Sequence, residues 1–252
     1  MTLNNLYNKL ENIRQHRGAI AVALIDPDKK NDSILPKMIE GINKSNFDAI
    51  LVGGSYIIDN EFERRIQFIK DSTDLPVIIF PGDSSQISSA ADAILFTSLL
   101  SGRNPRFLIE EQVKSSQLIY EFNLETIPTG YLLLKTDKKS AVEIISETIP
   151  LNMEEEGSIL SHALAAQYLG KKIIFLETGS NSNLSVKENL IKKLSDRLKI
   201  PIMVGGGIKD VNTAVAIAKN GASYIVIGSL IEQCEDYEIL EKINNAVHLV
   251  RN

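Results

Sequence analysis

The chain alternates between short apolar runs and stretches in which apolar residues recur every three or four positions. Eight apolar runs of strand length lie along the sequence: AIAVALI, AILVGGS, PVIIFPG, AILFTS, ETIPTGYLLL, KIIFLETGS, PIMVGGG and YIVIGS. The apolar residues within a run are continuous rather than alternating, which is typical of parallel strands covered on both faces. The pattern therefore predicts parallel strands joined by helices.

The segments between the runs predict amphipathic helices. Apolar positions at helical spacing share one face in four segments: Leu3, Leu6, Leu10 and Ile13; Phe62, Ile66 and Ile69; Ile109, Val113 and Ile119; Val186, Leu190, Leu194 and Leu198. Ser185 and Glu188 predict a capping box. Asp210 predicts the N-cap of a helix that begins at Val211, and Gly221 suits the carboxyl end of that helix.

Eight strands that alternate with helices predict a (β/α)8 TIM barrel, with residues 1–252 as a single domain. Only DSSQISSAAD separates the third run from the fourth, which is too short for a full helix with its loops, so we expect a reduced or missing third helix. The alternative is an open doubly wound sheet. Its dinucleotide fingerprint, G-x-G-x-x-G between a strand and a helix, does not occur here.

Composition and charge argue against some kinds of binding partner and indicate the cellular compartment. The net charge of −5 argues against nucleic-acid binding through bulk charge. Cys234 is the one cysteine, so neither an intrachain disulfide nor a cysteine-based zinc site is expected, in keeping with a reducing compartment. The longest apolar run is far too short to span a bilayer. We expect a cytoplasmic protein, and composition leaves open transient contact with a membrane surface.

Glycines cluster where the last strands are predicted to end. The chain reads ETGSN after run six, GGG after run seven and GS after run eight. The loops after strands seven and eight of a TIM barrel commonly bind phosphate, and bare backbone N–H groups form a nest for anions. One glycine cluster alone is equally explained by a tight turn, but three clusters in adjacent loops predict a phosphate site.

Three polar side chains at predicted strand ends are candidates for chemistry. Asp26 and Ser55 offer hard oxygen ligands on adjacent strands, which suit magnesium; alternatively, Asp26 caps a turn before Pro27. Glu177 follows an apolar strand, where it is either a general base, a ligand for a substrate hydroxyl or a partner in a salt bridge at the rim.

In order and spacing, several motifs resemble the geranylgeranylglyceryl phosphate synthase family, which includes heptaprenylglyceryl phosphate synthases. The motifs are ALIDPDK, LVGGS, FPG, SLLSGRNP, IPTGYLLL, LGKKIIFLETGS, IMVGGGI and YIVIGS, and they extend over nearly the whole chain. The resemblance implies a modified TIM barrel with a reduced third helix. It also implies a Mg²⁺-dependent prenyltransferase that forms an ether between sn-glycerol 1-phosphate and a prenyl diphosphate and releases diphosphate. Geranylgeranyl diphosphate is the expected donor, and a homo-oligomer, hexamer or dimer, is expected.

The resemblance also assigns site residues. It implies that Asp26 and Ser55 hold magnesium and that Glu177 orients or deprotonates the attacking hydroxyl. The residues that would bind glycerol phosphate are Phe175, Leu176, Glu177, Thr178, Gly179, Ser180 and Asn181, with the phosphate on Gly206, Gly207, Gly228 and Ser229. Ala90, Ala91 and Ala93 are candidates for an apolar groove that takes the prenyl chain, or are ordinary packing residues.

Two positions depart from the family pattern. The usual EAGSG is ETGSN here, so that Asn181 replaces a glycine, and Leu24 stands where short relatives have a lysine.

Two other functions remain open. One is a different phosphate-binding barrel enzyme, such as a sugar-phosphate isomerase or aldolase, and the other is a non-catalytic barrel that binds a phosphorylated metabolite.

Overall fold

The computed structural model describes residues 5–54, 59–180, 182–233 and 237–250. Within these ranges, eight parallel strands close into a barrel in chain order, with the first strand paired to the last. The strands are β1 (Ile20–Ile25), β2 (Ala49–Val52), β3 (Val77–Ile79), β4 (Ala93–Leu99), β5 (Glu125–Leu133), β6 (Ile173–Glu177), β7 (Ile202–Gly205) and β8 (Tyr224–Ile227). The predicted barrel is confirmed, and the alternative of an open sheet is wrong.

Helices surround the barrel except at one connection. They are α1 (Leu6–Arg17), α2 (Leu35–Lys44), α3 (Phe62–Asp71), α4 (Glu111–Glu121), α5 (Ala141–Ser146), α6 (Glu156–Tyr168), α7 (Glu188–Ser195), α8 (Val211–Lys219), α9 (Ser229–Gln233) and α10 (Glu238–His248). Residues 80–92, all described, join β3 to β4 without a helix. The helix predicted to be reduced or missing is therefore absent.

Apolar side chains of the strands fill two layers. Val22 and Phe175 point into the barrel, whereas their neighbours Ala23 and Leu176 point outward and pack against the helices. All four are almost fully buried. Burial of both strand faces is the physical reason for the continuous apolar runs in the sequence.

Helix α1 covers the amino-terminal end of the barrel. Leu10 packs with the inward-pointing strand side chains. The carboxylate of Glu125, at the start of β5, accepts hydrogen bonds from the N–H groups of Leu6 (2.5 Å) and Tyr7 (3.0 Å). These N–H groups lie in the first turn of α1, where no intrahelical partner exists. The opposite end, at the carboxyl ends of the strands, carries the loops that surround the cavity described below.

A buried arginine joins two of those loops. Arg65 of α3 is 1% exposed, and its guanidinium contacts Asp32 at 2.6 Å and Asp59 at 2.7 Å. Asp32 belongs to the connection after β1, and Asp59 to the connection after β2. The forked guanidinium suits such paired carboxylates. Arg65 thus fixes the outer parts of both connections relative to each other.

The predicted helix ends are confirmed in one case and wrong in another. Asp210 caps α8 by accepting the Thr213 N–H, and Gly221 beyond the helix has a φ of +108°. The capping box at Ser185 and Glu188 is wrong. Helix α7 begins only at Glu188, its N-cap is Lys187, and no side chain caps it. Ser185 lies too early in the chain to reach the first turn.

The predicted apolar face of α4 is also wrong in part. Ile119 is buried, but Ile109 and Val113 are 57% and 67% exposed. The segment starts as a π-helical turn at Arg106–Glu110, which is wider than an α-turn and changes the angular spacing of its residues. The stripe on α3 is confirmed, since Phe62, Ile66 and Ile69 are buried. On α7 the prediction is confirmed for Leu190 and Leu194, whereas Val186 and Leu198 lie outside the helix. On α1, Leu10 is buried and Leu6 and Ile13 pack beside it, and Leu3 lies outside the described residues.

Candidate active site

A cavity of about 480 Å³ opens at the carboxyl ends of the strands. This end of a TIM barrel carries the active site, and the volume is in the range of small-molecule sites. One end of the cavity is polar and is lined by the loops after β1, β6, β7 and β8. The other end is mainly apolar and lies along β4, the helix-free connection before it, the turn at Arg106–Glu110 and helix α5, while helix α4 adds the polar side chains of Glu111, Gln112 and Ser115.

Two consecutive glycines after β7 shape the polar end. Gly206 and Gly207 have φ values of +85° and +68°, in the left-handed region that favours glycine. A Cβ at Gly206 would overlap with Thr178 Oγ1, and one at Gly207 would overlap with the backbone of Leu184. Neither N–H donates a hydrogen bond to another of the described residues. These glycines are required by the backbone conformation, and their N–H groups are available to an anion.

Positive side chains lie near this glycine turn. Lys139 and Lys209 both line the cavity. Lys209 Nζ donates to Asn183 Oδ1 at 2.7 Å, which places its charge beside the loop that follows β6. Sequence reasoning missed both lysines, because neither follows an apolar run directly. Together with the glycine turn they favour a ligand that carries phosphate.

Glu177 ends β6 and is buried, with only 7% of its surface exposed. Its Oε1 accepts a hydrogen bond from the Gly179 N–H at 2.8 Å. A Cβ at Gly205, the neighbouring position on β7, would overlap with Glu177 Oε2. Burial raises the pKa of Glu177 to about 7, and the Gly179 hydrogen bond only partly opposes this effect. A carboxyl group whose pKa lies near neutrality is suited to accept a proton from a substrate hydroxyl.

Asp26 lies just beyond β1 and has one oxygen without a partner. Its Oδ2 accepts a hydrogen bond from Lys30 Nζ at 3.1 Å. Asp26 lines the cavity as a residue, while its Oδ1 is buried and accepts no hydrogen bond from the described residues. A Cβ at Gly54 would lie 2.5 Å from this oxygen, so the Gly54 backbone packs closely against it. An unpaired carboxylate oxygen is a suitable ligand for a hard cation.

Three aromatic rings lie beneath the cavity. Phe80, Tyr131 and Phe175 contact one another with ring centroids 5.1–5.5 Å apart. Tyr131 and Phe80 line the cavity, and burial raises the pKa of Tyr131, with the nearby Glu177 charge acting in the same direction. Sequence reasoning missed Phe80 and Tyr131. The available signal was the strand register, which pairs Tyr131 directly with Phe175.

The apolar end is built from large side chains rather than small ones. It is lined by Ile87, Ile94, Leu95, Phe96, Leu99, Phe107, Val142 and Ile145. Ile94 and Phe96 point outward from β4, where a third helix would otherwise cover them. The absence of this helix lets the cavity extend beyond the barrel mouth. Ala90, Ala91 and Ala93 are not part of the lining, so of the two interpretations ordinary packing applies to them.

The cavity brings together most of the residues predicted for the site. Its lining contains Asp26, Glu177, Gly179, Ser180, Gly206, Gly207, Gly228 and Ser229. Ser55 and Asn181 lie outside the described residues. The side chains of Phe175 and Thr178 are buried beside the lining, whereas Leu176 points into the outer apolar layer, away from the cavity. Leu176 can therefore approach a ligand only through its backbone.

Comparison with known proteins gives consistent matches over nearly the whole chain. The profile of the PcrB family matches residues 11–247. The geranylgeranylglyceryl phosphate synthase of Flavobacterium johnsoniae is 41% identical over 91% of this chain and 95% of its own. The geranylgeranylglyceryl phosphate synthase of Picrophilus torridus is 37% identical over 97% of this chain and 98% of its own. The crystal structure of (S)-3-O-geranylgeranylglyceryl phosphate synthase from Thermoplasma acidophilum, in complex with substrate sn-glycerol-1-phosphate, is 35% identical, covers 98% of this chain and 99% of that one, and has a TM-score of 0.91.

Proposed function

Because the chain belongs to the PcrB family, we propose that it is a geranylgeranylglyceryl phosphate synthase. It would join sn-glycerol 1-phosphate to a long-chain prenyl diphosphate, with geranylgeranyl diphosphate as the expected donor. The observation that carries the proposal is the lining of the cavity. One cavity is lined by the glycine turn after β7, by a buried carboxyl group with a pKa of about 7 and by a group of large apolar side chains.

The polar end suits glycerol phosphate. Gly206, Gly207, Gly228 and Ser229 would surround the phosphate with backbone N–H groups, and Lys209 would add charge. A relative of the same fold was solved with sn-glycerol-1-phosphate. Bound in this way, the glycerol would lie towards Glu177, which is the nearest candidate for contact with its hydroxyl groups.

The apolar end suits the prenyl donor. A prenyl chain would follow Ile87, Ile94, Phe107 and Ile145, where it removes apolar surface from water. Its diphosphate would remain at the barrel mouth near Asp26 and Lys30. This arrangement accounts for the apolar half of the cavity, which a small sugar phosphate would leave unused. For that reason we do not favour the isomerase or aldolase alternative, and a non-catalytic barrel would not need the buried Glu177.

The residues at the diphosphate position fit magnesium. Asp26 lines the cavity, and its buried Oδ1 accepts no hydrogen bond from the described residues. Among the described residues, no group of three or more histidine, cysteine, aspartate or glutamate side chains forms a metal cluster. This agrees with Mg²⁺, which takes few protein ligands and completes its shell with water and substrate phosphates. When bound, Mg²⁺ neutralises charge on the leaving diphosphate.

The side chains of the chain itself supply the rest of the chemistry. In its carboxylate form Glu177 accepts the proton of the sn-3 hydroxyl as the hydroxyl oxygen bonds to C1 of the prenyl group. The bond between C1 and the diphosphate oxygen breaks, and the diphosphate leaves with that electron pair. The rings of Phe80 and Tyr131 lie beneath the reacting region, where their faces stabilise positive charge on the allyl group.

A product assay tests this function. Purified protein is incubated with Mg²⁺, sn-glycerol 1-phosphate and prenyl diphosphates of several lengths, and products are identified by mass spectrometry. We expect a prenylglyceryl phosphate from sn-glycerol 1-phosphate and none from sn-glycerol 3-phosphate. Binding of glycerol phosphate without any ether product, at every donor length, would contradict the proposal and favour another phosphate-dependent barrel enzyme.

We also propose that the protein self-associates and acts in the cytoplasm. Ile109, Val113 and Tyr120 are 57–85% exposed along one side of α4 and the turn before it. Such an apolar stripe is typical of an interface between subunits. Val113→Glu should lower the mass measured by light scattering.

No helix in the described part of the chain is long and apolar enough to cross a membrane.

A further inference from the structure

Gln86 connects two strand ends at the diphosphate side of the cavity. It lies in the helix-free connection between β3 and β4 and is only 1% exposed. Its side-chain Nε2 donates to the Gly54 carbonyl at 2.8 Å. Its Oε1 accepts from the Gly82 N–H at 3.1 Å and, more weakly, from the Gly54 N–H at 3.4 Å. One buried amide therefore binds both polar groups of the Gly54 backbone.

The backbone that Gln86 binds is closely confined. A Cβ at Gly53 would overlap with the Phe80 carbonyl, and a Cβ at Gly54 would lie 2.5 Å from Asp26 Oδ1. Gly54 is therefore held between Asp26 on one side and Gln86 on the other. Its position determines how far the Asp26 carboxylate is covered by backbone and how far it is presented to the cavity. Gln86 itself is not part of the cavity lining.

From this geometry we infer that Gln86 is a positioning residue for the diphosphate-binding part of the site. It fixes Gly53 and Gly54 against Asp26 and so sets the affinity of this region for Mg²⁺ and a diphosphate group. The phosphate site after β7 and β8 has no contact with Gln86 and stays independent of it. The inference rests on the proposed function in assigning the diphosphate to the Asp26 side of the cavity.

The test compares Gln86→Met with wild type. Methionine nearly preserves the volume of the side chain but removes all three hydrogen bonds. Titration calorimetry measures the Kd of inorganic pyrophosphate with Mg²⁺ and, separately, the Kd of sn-glycerol 1-phosphate. We expect the pyrophosphate Kd to rise about 10-fold or more, as for residues that orient metal ligands. The glycerol phosphate Kd should change less than about twofold, which is the scale of distant, independent sites.

A matched control separates positioning from general loss of stability. Asn244 of α10 is also a fully buried amide, and its side chain donates to the Ser45 carbonyl at 2.5 Å, away from the cavity. Asn244→Leu should lower the melting temperature without changing either Kd. Hydrogen exchange of the peptide that contains Gly53 and Gly54 should become faster in Gln86→Met and stay unchanged in Asn244→Leu.

The outcomes distinguish the inference from the proposed function. An unchanged pyrophosphate Kd in Gln86→Met, or an equal rise in both Kd values, overturns the positioning role even if wild type makes the ether product. A selective loss of pyrophosphate binding supports the role even if wild type makes no ether. Absence of pyrophosphate binding by wild type overturns the positioning role, whereas the proposed function is decided by the product assay alone.

Discussion

The two ends of the cavity are built in different ways. The phosphate end consists of backbone, with Gly206 and Gly207 in conformations that a side chain would disturb. The apolar end consists of side chains such as Ile87, Ile94 and Phe107, which come from separate elements and meet where a helix is missing. The phosphate end depends on the backbone dihedral angles of its glycines. The apolar end depends on the volume of its lining side chains, which exchanges between hydrophobic residues change gradually. Substitutions should therefore separate affinity for the acceptor from selectivity for the donor.

The largest effect should come from Asp26, which lies in the polar end on the loop after β1. Asp26→Asn removes the charge of the unpaired oxygen but keeps its shape. We expect kcat/KM to fall on the order of 1000-fold, as when a group that stabilises transition-state charge is removed. Steady-state assays of diphosphate release measure this loss, with the exposed Asp71→Asn as control. Full activity of Asp26→Asn would exclude the carboxylate from the metal site.

The next largest effect should come from Glu177. Burial raises the pKa of this group to about 7. In the proposed mechanism the carboxylate form is the base, so activity should be low below pH 7 and should rise as the pH increases through that value. Glu177→Gln should lower kcat about 100-fold or more and remove this pH dependence. A pH–rate profile measures both effects, and an unchanged profile in Glu177→Gln would show that another group titrates.

A substitution at the phosphate end should raise the Kd of the acceptor, and it should also disturb Glu177, because the new Cβ of Gly206→Ala would lie 2.8 Å from Glu177 Oε1. Gly206→Ala places a side chain at a φ of +85° and against Thr178 Oγ1. The strain of about 1–3 kcal/mol predicts a rise of about 10- to 100-fold in the Kd of sn-glycerol 1-phosphate. Calorimetry checks this value. The control is Gly157→Ala on α6, where a Cβ would contact nothing within 4 Å.

If Gly206→Ala also shifted the preference towards longer prenyl donors, the two ends of the cavity would not act separately, because the phosphate end would then also control the choice of donor length. The Gly157→Ala control should be neutral or slightly stabilising, since alanine favours a helix more than glycine does.

The smallest effect is expected at the apolar end. Ile87 is 8% exposed and lines the cavity. Ile87→Phe adds volume there, so the ratio of kcat/KM for geranylgeranyl over farnesyl diphosphate should fall about 10-fold, the scale of one or two methylene groups. Competition between the two donors measures the ratio directly. The control is Ile149→Phe, because Ile149 is 84% exposed. An equal shift of the ratio in both variants would contradict the role of the apolar end in selecting the donor.

The sequence predicted the polar end better than the apolar end. Strand ends carrying Asp26, Glu177 and the glycines of GGG follow apolar runs directly, so barrel topology alone brings them together. The apolar lining has no such signal, since a cavity-lining Ile87 and a core Ile66 look alike in sequence. Small residues such as Ala91 were the candidates instead, and they pack elsewhere in the structure.

Local signals near helices were less reliable. The capping pair Ser185 and Glu188 fits a common motif, but α7 starts too late for Ser185 to reach it. The exposed side of α4 could not be assigned because a π-helical turn precedes that helix. Both failures lie at the start of a helix, where sequence patterns fix the boundary to within only a few residues.

By itself the sequence predicted a barrel of eight strands and a reduced or missing third helix, which the structure confirms, and it indicated a phosphate site at the glycine clusters. These predictions follow from periodicity, spacing and backbone requirements. Only the tertiary structure decided which groups are buried. The raised pKa of Glu177, the close packing of Gly54 against Asp26 Oδ1 and the link from Gln86 to Gly54 depend on neighbours that are distant in the chain. Desolvation and hydrogen bonding act through space, so no local pattern contains them.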